Sequence, residues 1–162
     1  MQQTTTSAEA TEYAATEFLT YIQERPGVQG TATVVGLSGE LGAGKTTFMK
    51  GIARAFGLEE DITSPTFVIQ KMYDIQNEQF DLLVHIDAYR LESGEEMGAL
   101  GWHEMITNPR TIVFLEWPEK VSSALPLRTE MVHFEVLDTN ERSITYGSDY
   151  KEEKDEEDPI GY

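Results

Sequence analysis

The chain has 162 residues, 40% of them hydrophobic, which suits one domain with a buried core and is too short for two of that size. It contains no cysteine, so disulfides and thiolate metal sites are excluded. The first residues, Met1–Ala10, lack the basic start and apolar stretch of a secretory signal, and no apolar run reaches the roughly 20 residues of a membrane span. These features predict a cytoplasmic protein that does not contact a membrane.

The net charge of −17 restricts the partners of the chain. Lys151–Asp158 contributes −4, which leaves −13 on the rest of the sequence. Such an acidic surface repels a phosphate backbone, because nucleic-acid affinity depends on Lys and Arg that neutralise phosphates. We therefore expect no direct, tight binding of RNA or DNA. The acidity is interpreted either as an aid to solubility or as a match for a basic protein partner.

The first predicted elements are a helix, a strand and a second helix. The capping-box pattern Thr6–Glu9 opens the first helix, and Pro26–Gly27 ends it. The short β-rich run Thr31–Leu37 predicts a buried strand. Apolar side chains every four residues over Gly44–Phe56 predict the second helix.

The rest of the chain predicts mainly strands, in pairs. The predicted elements are a hairpin of Thr66–Tyr73 and Phe80–Asp87, short helical turns over Glu92–Gly101, a central strand at Thr111–Leu115, and an antiparallel pair, Met131–Leu137 with Arg142–Tyr146. From about Gly147 the apolar pattern stops, and the charged tail that follows is predicted to be disordered.

This order of elements predicts an α/β fold, a three-layer sandwich in which helices flank a mixed, mostly parallel central sheet. The strand before the glycine-rich loop and the strands ending at Asp87 and Glu116 are expected to run parallel. One domain is predicted over residues 1–147, followed by an acidic tail over residues 148–162.

The segment from Gly39 to Thr46 matches the phosphate-binding pattern G-x-x-x-x-G-K-[ST] at every fixed position. The predicted nucleotide contacts are Gly39, Glu40, Leu41, Gly42, Ala43, Gly44, Lys45, Thr46 and Thr47. Glycines allow successive backbone N–H groups to face an anion, and the following helix adds the positive end of its dipole. Lys45 is predicted to reach the β- and γ-phosphates, and Thr46, by its spacing, to ligate Mg²⁺. The pattern predicts a P-loop NTPase.

Two acids at strand ends are predicted to complete a catalytic site with Lys45. Asp87 ends the apolar run Leu82–Asp87 and is predicted to hold Mg²⁺ or its waters. Glu116 ends a second such run, and either ligates Mg²⁺, directly or through water, or orients the attacking water. The structural alternatives are a capping role for Asp87 and a surface position for Glu116.

Other polar segments have more than one interpretation. The Thr63–Thr66 segment is either a switch-like loop, whose hydroxyls, that of Thr66 among them, contact the γ-phosphate or its water, or a simple turn into a strand. His85 and His103 are interpreted as packing or surface residues rather than ligands. Trp117 is interpreted as a packing residue at a turn, with a contact to a partner or to the nucleotide as the less favoured alternative.

Four segments, in one order and with similar gaps, resemble the TsaE family, also called YjeE. They are Gly39–Thr47, Ser64–Phe67, His85–Leu91 and Glu116–Pro118, and the resemblance covers about residues 7–146. This family is the small bacterial ATPase of tRNA threonylcarbamoyladenosine biosynthesis. The resemblance implies ATP and Mg²⁺ as cofactors, and an ATPase that is weak alone and stimulated by its partners. The implied partners, TsaD and TsaB, transfer the threonylcarbamoyl group to adenosine 37 of tRNAs reading ANN codons.

The resemblance also implies roles for individual residues. It gives Mg²⁺ roles to Thr46 and Glu116, with Asp87 close to the metal, and it places Arg142 near the nucleotide and Thr11 near the adenine. Two alternatives stay open, a small-molecule kinase and a nucleotide-gated binding module without useful hydrolysis. The kinase is disfavoured because the arginines are scattered rather than clustered in a lid segment.

Overall fold

The computed structural model describes residues 1–25, 29–59, 62–63 and 69–147. The strands are β1 (Gln2–Thr5), β2 (Thr33–Gly39), β3 (Gln70–Asp74), β4 (Leu82–Asp87), β5 (Thr111–Glu116), β6 (Glu130–Asp138) and β7 (Glu141–Tyr146). The helices are α1 (Ala8–Gln23), α2 (Lys45–Ala55) and α3 (Trp102–Ile106), with 3₁₀ segments at Gly94–Leu100 and Pro118–Ala124. The predicted elements within these ranges are confirmed, with small shifts at their ends. The Ser64–Thr66 segment, Pro26–Gly27 and the tail from residue 148 lie outside the described residues.

The described strands form one mixed sheet in the order β1-β7-β6-β2-β5-β4-β3. β2 pairs in parallel with β5 and β6, and β4 pairs in parallel with β5, which confirms the three parallel strands predicted from the sequence. The pairs β1–β7, β6–β7 and β3–β4 are antiparallel. Most strands of the sheet therefore point in the same direction, although half of the neighbouring pairs are antiparallel.

Sequence patterning does not predict β1, because Gln2–Thr5 is polar and has no apolar alternation. The strand forms through its backbone. It pairs with β7 in register from Gln2–Thr145 to Thr5–Arg142, and the Tyr146 N–H donates to the Met1 carbonyl at 2.9 Å. The two ends of the described domain are thus hydrogen-bonded neighbours.

Helices cover both faces of the sheet. Successive residues of each central strand point to opposite faces, and both sets are apolar, so both faces need to be covered. Val35, Leu37 and Phe114 pack with α1 and α2. Val34 and Leu115 pack with α3 and the 3₁₀ segments. These three layers place the carboxyl ends of β2, β4 and β5 at one edge of the sheet, the usual location of ligand sites in open α/β sheets.

The N-terminal helix lies directly against α2. A Cβ atom on Gly51 would lie 2.4 Å from the Glu12 carbonyl oxygen and 2.8 Å from the Ala15 Cβ, so this close approach requires glycine. The N-cap of α1 is Ser7, whose hydroxyl accepts from the Ala10 N–H at 3.0 Å, one residue later than the capping-box pattern indicates. The packing brings the first turn of α1 beside the glycine-rich loop.

Candidate functional site

The glycine-rich loop joins β2 to α2, as the sequence predicts, and runs from Gly39 to Thr46. Gly42 and Gly44 have φ values of 79° and 106°, a region in which a side chain would be strained. Gly44 is the N-cap of α2 and provides no side chain to cap its free N–H groups. These N–H groups, with the helix dipole behind them, form an anion site at the loop.

Lys45 is held inside the loop rather than extended into solvent. Its side chain is buried, with 5% exposed, and its ammonium group donates to the carbonyl oxygens of Gly39 and, at 3.1 Å, Glu40. Burial lowers the pKa of Lys45, while the negative charges of Glu116, Glu119 and Asp87 oppose this shift. The amine therefore lies within the field of both predicted carboxylates.

Asp87 and Glu116 are direct neighbours at the ends of the parallel strands β4 and β5. Both are buried, with 6% and 3% exposed. Asp87 Oδ1 accepts from the Tyr89 N–H at 3.0 Å, and Glu116 Oε2 lies 3.1 Å from His85 Nε2. The structure thus brings together the three residues predicted to be catalytic, and adds a contact to His85 that sequence reasoning missed.

Trp117 contributes more than a packed turn. Its backbone is left-handed, with φ of 59°, and its N–H donates to the Leu37 carbonyl at 3.3 Å. This conformation places the ring centroid 4.1 Å from Lys45 Nζ and 5.2 Å from the Tyr89 ring. The indole therefore forms one wall around the lysine, in a cation–π contact that the Glu-Trp-Pro pattern alone does not predict.

A cavity of about 230 Å³ lies next to the loop and contains both residues that were assigned to the nucleotide by resemblance. Its lining includes Gly42, Gly44, Thr47, Thr11 and Arg142. Arg142 Nε donates to the Gly42 carbonyl at 3.3 Å, which ties β7 to the loop. The cavity therefore adjoins the glycine-rich loop and brings Thr11 and Arg142 together beside it.

The residues at the loop suit Mg²⁺, which prefers oxygen ligands and is usually held by one or two carboxylates together with substrate phosphates. Thr46 is half-buried in the first turn of α2, on the side of the sheet edge where Asp87 and Glu116 end their strands. Within the described part of the chain, no three His, Cys, Asp or Glu side chains converge on a metal position. Within the described residues, acidic and histidine side chains alone therefore do not form a complete metal site.

A family model described as "Threonylcarbamoyl adenosine biosynthesis protein TsaE" matches residues 5–144, which is most of the chain. The chain belongs to the TsaE family. This finding confirms the resemblance of its four segments. Among the residues of those segments, Thr66 lies outside the described residues, and its predicted contact stays a prediction.

Relatives in several bacteria support the same membership. The tRNA threonylcarbamoyladenosine biosynthesis protein TsaE of Treponema pallidum is 41% identical over 113 residues, which cover 70% of this chain and 80% of that protein. The protein of the same name in Bacillus subtilis is 36% identical over 113 residues, which cover 70% and 68%. The crystal structure of Bacillus subtilis YdiB has a TM-score of 0.68 and 27% identity, covering 90% of this TsaE-family chain and 83% of YdiB.

One observation bears on the predicted absence of a membrane span. In the part of this TsaE-family chain that the structure describes, the helices are all too short or too polar to span a bilayer.

A larger cavity, of about 1000 Å³, is lined by the first residues of β2 and by residues flanking β5, including Arg110, and contains none of the predicted site residues. Arg110 is paired with Asp81 at 2.5 and 2.6 Å. The predicted site residues therefore favour the smaller cavity at the loop as the functional site.

Replacing Arg142 by alanine in this TsaE-family chain is expected to weaken ATP binding about tenfold or more, since hydrogen bonds of a charged group contribute about 1.5–3 kcal/mol. The variant removes the link to Gly42 and contacts to carbonyls in the β6–β7 turn. Calorimetric titration with Mg-ATP measures the effect. Arg128→Ala, an exposed arginine at the other cavity, is the matched control, and equal affinities of the two variants would contradict the assignment.

Proposed function

We propose that this chain is the Mg²⁺-dependent ATPase subunit of a tRNA-modifying system. In this proposal it acts with TsaD and TsaB in the cytoplasm and supports threonylcarbamoyl transfer to adenosine 37 of tRNAs reading ANN codons, while its partners perform the transfer. Membership of the TsaE family supports the pathway. Residues 1–147 form the P-loop ATPase domain of the proposal.

One observation carries the ATPase assignment. Lys45, Asp87 and Glu116 come from three different elements and are buried together at one edge of the sheet. Burying a lysine beside two carboxylates is unfavourable for folding unless the groups compensate one another, and such clusters are typical of functional sites. A lysine within an anion-binding loop, beside acids that suit Mg²⁺, fits the hydrolysis of a nucleoside triphosphate.

Each side chain has a task in that reaction. The loop N–H groups and Lys45 bind the phosphates and stabilise the charge that grows as the terminal phosphoryl group leaves. Thr46, Asp87 and Glu116 would hold Mg²⁺, directly or through water, and the ion, when bound, neutralises phosphate charge. Glu116 is also placed to orient the attacking water. The new bond joins the water oxygen to the γ-phosphorus, and the bond from that phosphorus to the β–γ bridging oxygen breaks.

The acidity of the chain supports an indirect relation to tRNA. With a net charge of −17, the protein itself has little attraction for a phosphate backbone. In the proposal, tRNA is held by the other subunits, and this chain contacts it only through the complex. ATP hydrolysis then drives a conformational or turnover step of the complex rather than the chemistry at the base.

Reconstitution with TsaD, TsaB, tRNA and a threonylcarbamoyl donor tests the proposed function. We expect slow phosphate release from ATP by the chain alone, faster release with both partners, and repeated rounds of tRNA modification only when the chain and Mg-ATP are present. Replacing ATP by ADP is the control. Modification that is independent of the chain, or a phosphorylated small molecule formed as ADP is released, would contradict the proposal.

A further inference from the structure

His85 lies next to the proposed catalytic centre without being one of its predicted members. Leu83, His85 and Asp87 alternate along β4, so their side chains share one face of the sheet. Leu83 belongs to the core beneath α1 and α2, which fixes that face as the side of the glycine-rich loop. On the neighbouring strand, Phe114 and Glu116 lie on the same face, and Phe114 is the register partner of His85.

The contact between the two side chains is well defined. His85 Nε2 lies 3.1 Å from Glu116 Oε2, and both residues are buried, with no exposed surface on the histidine. A carboxylate has only acceptor atoms, so the imidazole N–H at Nε2 donates to it. The bond occupies one of the two oxygens of Glu116, Oε2.

The surroundings of the other imidazole nitrogen indicate that a contribution to core stability does not explain why a histidine occupies position 85. His85 Nδ1 is buried and has no hydrogen-bond partner. A buried polar atom without a partner costs about 1–3 kcal/mol, so an apolar side chain of similar size would stabilise the domain at least as well. Residues that lower stability in this way are expected where the site requires them.

We propose that His85 is a positioning residue that fixes the carboxylate of Glu116 through its Nε2–H. A glutamate has three side-chain torsions, and a buried hydrogen bond restricts them so that Oε1 keeps one position in the site. The inference rests on the proposed ATPase function, which it deepens. It applies whether Glu116 holds Mg²⁺ through water or orients the attacking water, since both tasks need a fixed oxygen.

Two replacements separate positioning from space filling. His85→Gln keeps an N–H donor at a similar distance from the backbone, whereas His85→Met fills a similar volume without one. His103→Met is the matched control, because His103 is exposed on α3. Partner-stimulated hydrolysis and nucleotide affinity are measured for all three, with thermal unfolding as the test of folding.

We expect His85→Met to lower kcat about 10- to 100-fold, as is typical when a residue supporting a ligand or base is removed. Its KM for Mg-ATP should change by less than about threefold, because the phosphates are held by the loop. His85→Gln should recover most of the rate. Combining His85→Met with Glu116→Gln should cause no further loss beyond Glu116→Gln alone, since the two residues act through one contact.

A His85→Met enzyme with kcat within about twofold of the native rate would overturn the proposal, as would equal losses in His85→Gln and His85→Met. Should His85→Met not fold, His85→Leu replaces it under the same criteria. Crystal structures give a readout independent of activity: Glu116 should have several rotamers in the apolar variant and one in His85→Gln. If the native chain showed no partner-stimulated hydrolysis, only the ATPase assignment would be refuted. The rotamers of Glu116 in the variants would still decide the role of His85.

Discussion

Replacing Lys45 by alanine is expected to remove most of the affinity for ATP. Lys45 is buried, and its ammonium group lies inside the glycine-rich loop that is proposed to bind the phosphates. Truncating one partner of a buried, charged hydrogen bond costs about 2–5 kcal/mol, which corresponds to a loss of about 30-fold or more in affinity. Calorimetric titration with Mg-ATP measures this loss, and an unchanged dissociation constant would refute the loop as a triphosphate site.

Lys50→Ala is the matched control, because Lys50 lies on the same helix, more than one turn beyond the loop, and carries the same charge. Its affinity for ATP should stay near the native value. Stability provides a second comparison. Burial lowers the pKa of Lys45, so the charged amine is disfavoured in the folded protein, but its removal also leaves Asp87 and Glu116 without a positive neighbour; thermal unfolding of both variants is therefore measured beside binding.

Replacing Glu116 by glutamine is expected to lower kcat for ATP hydrolysis about 100-fold or more, because the removed charge either activates water or holds the metal that does so. Glutamine has nearly the same shape and can still accept from His85 Nε2. Binding of the nucleotide should be largely retained, since the proposal assigns the phosphates to the loop and Lys45. Single-turnover phosphate release with partners, together with calorimetry, measures the two effects separately.

Glu104→Gln removes the same charge from an exposed position on α3 and serves as the control for surface electrostatics. It should hydrolyse ATP at the native rate. Turnover by Glu116→Gln equal to that of Glu104→Gln would show that Glu116 has no catalytic role and would favour a nucleotide-gated binding module.

The fold and the centre of the site were predictable because their signals are local. The spacing from Gly39 to Thr46 determines the loop, and apolar runs ending in Asp87 and Glu116 indicate strands whose ends face a ligand. Parallel pairing then places the two acids side by side, as the register of β4 and β5 confirms. No tertiary information was needed for these steps.

The parts that were missed depend on contacts between distant segments. β1 is a polar strand that exists because β7 provides a partner, and neither segment alone indicates the pairing. The cavity beside the loop joins Thr11, Gly44 and Arg142, which are far apart in the sequence, and only the family resemblance, not a local pattern, pointed to Thr11 and Arg142. The contact of His85 with Glu116 required the register of two strands, although the alternation of His85 with Asp87 gave a usable signal.

The pairing of β1 with β7 has a consequence for the dynamics of the nucleotide site. Thr5, at the end of this edge strand, contacts the Thr11 hydroxyl at 2.9 Å, and both residues line the cavity beside the loop. Edge strands open by local fraying at lower free energy than central strands. Part of the cavity wall is therefore built on a strand that opens more readily than the central strands. A bound nucleotide would slow amide exchange in β1, and any macromolecule that pulled this strand away would hasten nucleotide release.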